Sequence, residues 1–168
     1  HIKVIVTTNF DRLLEAALEA VGVAPIVVAS TDAIAGMPPL AHTRCTVIKL
    51  HGDYLDHRIK NSPNALARYD ERLNALLEQV WDEYGLIICG WSSEYDTALR
   101  ASIERCKSRR YPTYWVARSE VKGAARHLVT HRSAQIVRSA GADEFFSQLS
   151  EKVLALEEFG RPHPLSVQ

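Results

Sequence analysis

Ile2-Lys3-Val4-Ile5-Val6-Thr7 opens the chain as a β-branched, apolar run, and it breaks directly into the polar tetrad Thr8-Asn9-Phe10-Asp11. Such a run is the signature of a short buried strand. Beyond Asn9 the apolar positions Leu13, Leu14, Ala17, Leu18 and Val21 recur at helical spacing, and Gly22 stands where a helix C-cap glycine belongs. Strand, polar loop and helix in that order form the unit of parallel α/β sheets, so these first residues already point to the fold class.

Outward from that stretch the unit repeats. Pro25 to Ala29 reads as a strand, Ala35-Gly36-Met37-Pro38-Pro39 as a loop, and Cys45 to Leu50 as a strand ending in His51-Gly52-Asp53. A polar stretch around Asn61-Ser62-Pro63 precedes helical spacing at Leu73, Leu76, Leu77, Val80 and Trp81, closed by Gly85. Leu86 to Cys89 is a strand running into Gly90-Trp91-Ser92-Ser93, then a helix from about Tyr95 to Lys107 whose Ser93 and Asp96 have capping-box spacing. Strand Thr113 to Ala117, helix Val121 to Val129, strand Gln135 to Arg138 and helix Ala142 to Leu156 complete the pattern. Five or six strands alternating with helices call for a Rossmann-like, mostly parallel sheet with helices on both faces. Residues 1–158 are read as one nucleotide-binding α/β domain and residues 159–168 as a tail or linker.

Composition narrows the partner. Among 168 residues, 20 acidic and 20 basic side chains balance, so nothing favours nucleic acid or an anionic membrane surface. No apolar run approaches the roughly 20 residues of a membrane span. Cys45, Cys89 and Cys106 are isolated, without a C-x-x-C pair, which fits a reducing, cytoplasmic setting. A small-molecule nucleotide is the expected partner, with homo-oligomerisation and further domains left open.

Ligands of open parallel sheets bind beyond the carboxyl ends of the strands, where loops and helix N-termini converge. Four segments stand there and are small or polar beyond the needs of packing: Thr8-Asn9-Phe10-Asp11, His51-Gly52-Asp53, Gly90-Trp91-Ser92-Ser93 and Arg138-Ser139-Ala140-Gly141.

Thr7-Thr8-Asn9-Phe10-Asp11 after one strand, Lys49-Leu50-His51-Gly52 after another and Gly90-Trp91-Ser92-Ser93 after a third resemble the sirtuin pattern, in sirtuin order. The likeness runs from about Val4 to Leu149 and is nearest to the sirtuin-like domains of bacterial NAD-consuming defence proteins. It implies that Asn9 holds the nicotinamide ribose or positions a water, that Asp11 orders the same pocket, and that His51 acts as general base. It also implies that Gly90, Ser92 and Ser93 lie along the adenosine, with Trp91 over the ligand and Thr8, Gly52, Ser139 and Ala140 completing the cofactor-binding set. The chemistry agrees, because cleaving the ribose–nicotinamide bond builds oxocarbenium character and calls for a proton acceptor near neutrality, a task suited to histidine.

The chain departs from the sirtuin pattern in two places. It contains no Gly-Ala-Gly phosphate loop and no first strand to carry one, so it is expected to be part of a longer protein. Nor does it contain the paired C-x-x-C motifs of the zinc module. NAD hydrolysis, with no metal, is then favoured over deacylation; the alternative is a module that senses NAD or ADP-ribose without turnover.

Plainer roles compete for the same residues. Asn9 suits a helix N-cap, Asp11 complements a helix dipole, and Ser93 with Asp96 suits a capping box. His127 and His131, four apart on a helix, lack a third metal ligand. Gly52-Asp53 with Asp56 faintly suggests a phosphoesterase, but the remaining ligand groups of a two-metal site are missing. The catalytic reading requires Asn9 and His51 to face one another at the carboxyl edge of one parallel sheet.

Overall fold

The computed structural model describes residues 1–53 and 69–160. It contains two compact units, His1–Tyr84 with Tyr95–Arg110, and Gly85–Glu94 with Tyr111–Gln168.

In the first unit, strand β1 (Val4–Thr7), helix α1 (Leu13–Ala20), strand β2 (Ile26–Val28), helix α2 (Thr31–Gly36), a 3-10 turn (Leu40–His42), strand β3 (Thr46–Lys49) and helix α3 (Glu71–Glu83) follow in order. The strands form a parallel sheet of order β1-β3-β2, so β3 inserts between two strands that precede it. Thr7 pairs with Lys49 and Val28 with Ile48. All of β3 is buried, as a strand flanked on both edges in a parallel sheet should be. Buried polar groups at its foot are satisfied locally, with the Thr43 and Thr46 hydroxyls 2.9 Å apart and Thr43 Oγ1 donating to the Leu40 carbonyl.

Helix α4 (Thr97–Arg105) belongs to the same unit and packs on α3. Apolar positions Leu76, Leu77, Val80 and Trp81 form the buried stripe of α3, and Trp81 Nε1 donates a 2.9 Å hydrogen bond to buried Ser102 on α4. Asp70 caps α3 by accepting from the Arg72 N–H.

The second unit holds strands β4 (Leu86–Ile88), β5 (Thr113–Ala117) and β6 (Gln135–Arg138), parallel in the order β4-β5-β6, with helices α5 (Gly123–His131) and α6 (Ala142–Gly160). Trp115, Val116, Ala117, Ala125, Leu128 and Val129 are buried there.

The expected Rossmann-like α/β class is present, and every strand pairing is parallel. Among the described residues the pairings fall into two three-stranded parallel sheets, with β3 and β5 as their central strands. The loop expected at Ala35 to Pro39 is partly helical. Ser30 Oγ accepts from the Ala33 N–H and starts α2, and its six residues are too few to show an apolar period. The capping box at Ser93 and Asp96 does not form. Helix α4 begins at Thr97, Ser93 Oγ donates to the Ser92 carbonyl, and the Asp96 side chain makes no cap hydrogen bond. The stretch at Asn61-Ser62-Pro63 and the tail from residue 161 onward lie outside the described residues, while α6 runs to Gly160.

The packing sets a stability expectation. Leu77 is 0% exposed and Leu154 is 59% exposed. Leu77→Ala should cost about 2–5 kcal/mol in urea denaturation, and Leu154→Ala should stay within about 0.5 kcal/mol.

Candidate functional site

Two of the sequence-predicted segments leave adjacent parallel strands. Since Thr7 and Lys49 are paired, the Thr8–Asp11 loop and the Leu50–Asp53 loop emerge from the same sheet edge, one strand spacing of about 4.8 Å apart. Asn9, Asp11, Thr8, His51 and Gly52 are therefore brought to one carboxyl edge in the first unit.

What holds the two loops together is Lys49. Its side chain is 0% exposed, and its ammonium lies 2.8 Å from Glu15 Oε1 and 3.1 Å from Asp53 Oδ2. It also donates to the main-chain carbonyls of Asp11, at 2.5 Å, and Phe10, at 3.4 Å. One cation thus binds the loop after β1, the first turn of α1 and the loop after β3. Arg12 Nε, 4.0 Å from Asp53 Oδ2, balances the second carboxylate. Desolvating so many charges is tolerable only when they are mutually paired.

The N-cap position of α1 is Arg12, with no side-chain cap hydrogen bond, and just before it Asp11 Oδ1 accepts from the Leu13 N–H at 3.0 Å. The cap role considered for Asn9 is therefore not filled by Asn9. Asn9 is exposed, and its main-chain N–H donates to Thr7 Oγ1.

His51 stands at the end of the central strand. Its Nε2 lies 2.9 Å from Asp96 Oδ1, with side chains 19% and 16% exposed. The contact is a close approach of the ring nitrogen to the carboxylate and not a formed hydrogen bond. Burial, and behind it the Asp96 charge, push the Tyr69 phenol above its ordinary range. Gly52 follows with φ of +86°, a left-handed conformation that costs glycine nothing and turns the chain sharply after the histidine.

On the β2 flank of His51 a cavity of about 150 Å³ is lined by Ser30, Thr31, Asp32, His51, Gly52 and Asp70 among others. Clefts for drug-sized ligands run to roughly 300–1,000 Å³, so this one has room for a single ring or sugar.

The remaining predicted residues lie in the second unit. Gly90, Trp91, Ser92 and Ser93 follow β4, and Ser139 and Ala140 follow β6, at the same carboxyl edge of the β4-β5-β6 sheet. Gly90 has φ of +72° and buried Ser93 has φ of +62°; the latter is an unfavourable conformation for a side-chain-bearing residue. The Trp91 ring packs against Trp115, centroids 6.2 Å apart. Ser139 Oγ and the Ala140 N–H both donate to Glu144, at 2.7 and 2.5 Å.

The roles of three residues are not anticipated by the sequence. Lys49 and Glu15 had a signal, since a lysine inside an otherwise apolar strand has to be buried and hence paired. Asp96 had none, because only the packing of α4 brings it to His51. Among the described residues no group of three His, Cys, Asp or Glu side chains is placed to hold a metal, and the His127 and His131 rings stack with centroids 6.3 Å apart. Asp53 of the faint phosphoesterase pattern is held by Lys49, and Asp56 lies outside the described residues. No described helix is long and apolar enough to cross a membrane.

A parallel α/β architecture with polar residues collected at strand ends defines a Rossmann-like protein of the nucleotide-binding kind. A family model for the SIR2-like domain matches residues 3–137, and the chain belongs to that family. No curated protein matches the chain. SIR2-like domains bind NAD, so the activity is NAD-related in kind.

Two tests follow from this geometry. Lys49→Met leaves the buried Glu15 carboxylate without its cation and should cost about 3–5 kcal/mol in denaturant unfolding, much of it recovered in Lys49→Met/Glu15→Leu. The second concerns Tyr69, whose phenol ionises near 10.0 in the unfolded chain but keeps its proton to higher pH when folded. Above that pH the unfolded state binds fewer protons than the native one, so stability falls until the folded phenol also ionises. Urea midpoints at neutral and strongly alkaline pH should show a smaller alkaline loss in Tyr69→Phe than in wild type.

Proposed function

We propose that the chain is the catalytic domain of an NAD glycohydrolase, which splits NAD into nicotinamide and ADP-ribose with water as acceptor. The observation that supports this most directly is His51, backed by Asp96, at the end of the central strand and one strand spacing from the Asn9 loop. In this reading the bond from ribose C1′ to the nicotinamide nitrogen breaks, and its electron pair leaves with nicotinamide. Water adds to C1′, and His51 takes the proton that water gives up. Asn9, exposed and unused by the helix cap, is assigned to the ribose or the attacking water, while Asp11 orders the loop that carries it.

Gly90, Trp91, Ser92, Ser93, Ser139 and Ala140 enter as cofactor-binding residues on the family pattern. The absence of paired C-x-x-C motifs favours water over an acyl-lysine acceptor. A cytoplasmic depletion effector in antiviral defence is the biological role we assign to the protein.

Nicotinamide release from NAD, followed by chromatography for the protein encoded by the full reading frame, tests the proposal. His51→Ala should lower the rate about 10²- to 10⁴-fold, the usual worth of general-base assistance, while binding suffers less. Asn9→Ala should abolish release with a melting temperature close to wild type, since the N-cap of α1 is Arg12 and Asn9 is no part of it. Full activity in His51→Ala would end the proposal. NAD affinity with no product from wild type as well as from both variants would identify a sensor.

A further inference from the structure

We infer that Asp96 is the positioning residue for His51, holding the imidazole with Nε2 toward α4 so that Nδ1 is left to accept a proton. A neutral imidazole has one protonated and one basic nitrogen, and the neighbours of the ring decide which is which. Here Nε2 lies 2.9 Å from Asp96 Oδ1, and a carboxylate at that distance favours the proton on Nε2. Nδ1 is then the basic nitrogen of the neutral ring, available to a ligand.

The carboxylate is itself well placed for this task. Asp96 opens α4 yet makes no cap hydrogen bond with its side chain. An aspartate at a helix start normally accepts from the helix N–H groups, so its turn toward His51 forgoes a cap worth about 1 kcal/mol. Both side chains are largely screened from water, where a charge contact of this length is weakened far less than on an open surface. The phenol of Tyr69, a further titratable group that feels the charge of this carboxylate, keeps its proton and so adds no competing charge.

The role assigned to His51 rests on the NAD-cleaving reading above, whereas the pairing with Asp96 rests on geometry alone. The test therefore has two arms. In protein carrying ¹⁵N-labelled histidine, long-range ¹H–¹⁵N spectra at a pH where the ring is neutral should place the His51 proton on Nε2. Asp96→Asn should shift that tautomer balance toward Nδ1–H, and Asp96→Glu should retain it in part. In nicotinamide release, Asp96→Asn should lower kcat about 10²-fold or more with KM little changed, and it should add no further loss in a His51→Ala background.

A wild-type proton on Nδ1, a tautomer that ignores Asp96→Asn, or the same fold-loss from Asp96→Asn with and without His51 would each overturn the inference. If wild type releases no nicotinamide, the NAD-cleaving reading fails, and the tautomer comparison alone decides the role of Asp96.

Discussion

The ammonium of Lys49 is the interaction on which the first unit depends. It is fully enclosed, and its partners come from three places in the chain: Glu15 in α1, Asp53 after β3, and the carbonyls of Phe10 and Asp11 after β1. Strand pairing fixes the register of β1 and β3 as far as Thr7 and Lys49, but beyond the last ladder rung loops are set only by what they bind. A buried cation has to collect every acceptor within reach, so it defines both loops at once. Asn9 lies one and two residues before the anchored carbonyls of Phe10 and Asp11, and His51 lies two residues from the lysine itself.

This arrangement separates a rigid layer from an available one. The ion network below the sheet edge is internally compensated, with Lys49 and Arg12 facing Glu15 and Asp53. Above it Asn9 is exposed, and His51 is linked through one nitrogen to Asp96. The groups to which the proposed reaction assigns chemistry are thereby left outside that network, while polar side chains nearby serve structure. Asp11 illustrates the division, since its side chain accepts from the Leu13 N–H and its carbonyl accepts from Lys49, both in support of the loop that displays Asn9.

The second unit uses its strand ends differently. Ser93 is buried in a left-handed conformation after Gly90, and Ser139 and Ala140 direct their donors at Glu144. Strain and internal satisfaction of this kind are common in loops built to approach a ligand closely. The shape of these segments follows from glycine at the turn and from Trp91 resting on Trp115.

Much of this was legible in the chain itself. β-branched runs, helical spacing and glycine at helix ends marked the strands and the long helices, because those signals are local and repeat with a fixed period. The ordered segments Thr8-Asn9-Phe10-Asp11, Leu50-His51-Gly52 and Gly90-Trp91-Ser92-Ser93 marked the strand ends and the family, since a parallel sheet brings its carboxyl edges together whatever the intervening helices contain. Local pattern has no reach beyond that. That Asp96 would turn from its own helix to His51, and that Lys49 would bind Glu15 at a separation of 34 residues, are both decided by side chains meeting across the fold. Burial of one charge at the end of β3 sets those meetings, and burial is a property that only the packed tertiary structure possesses.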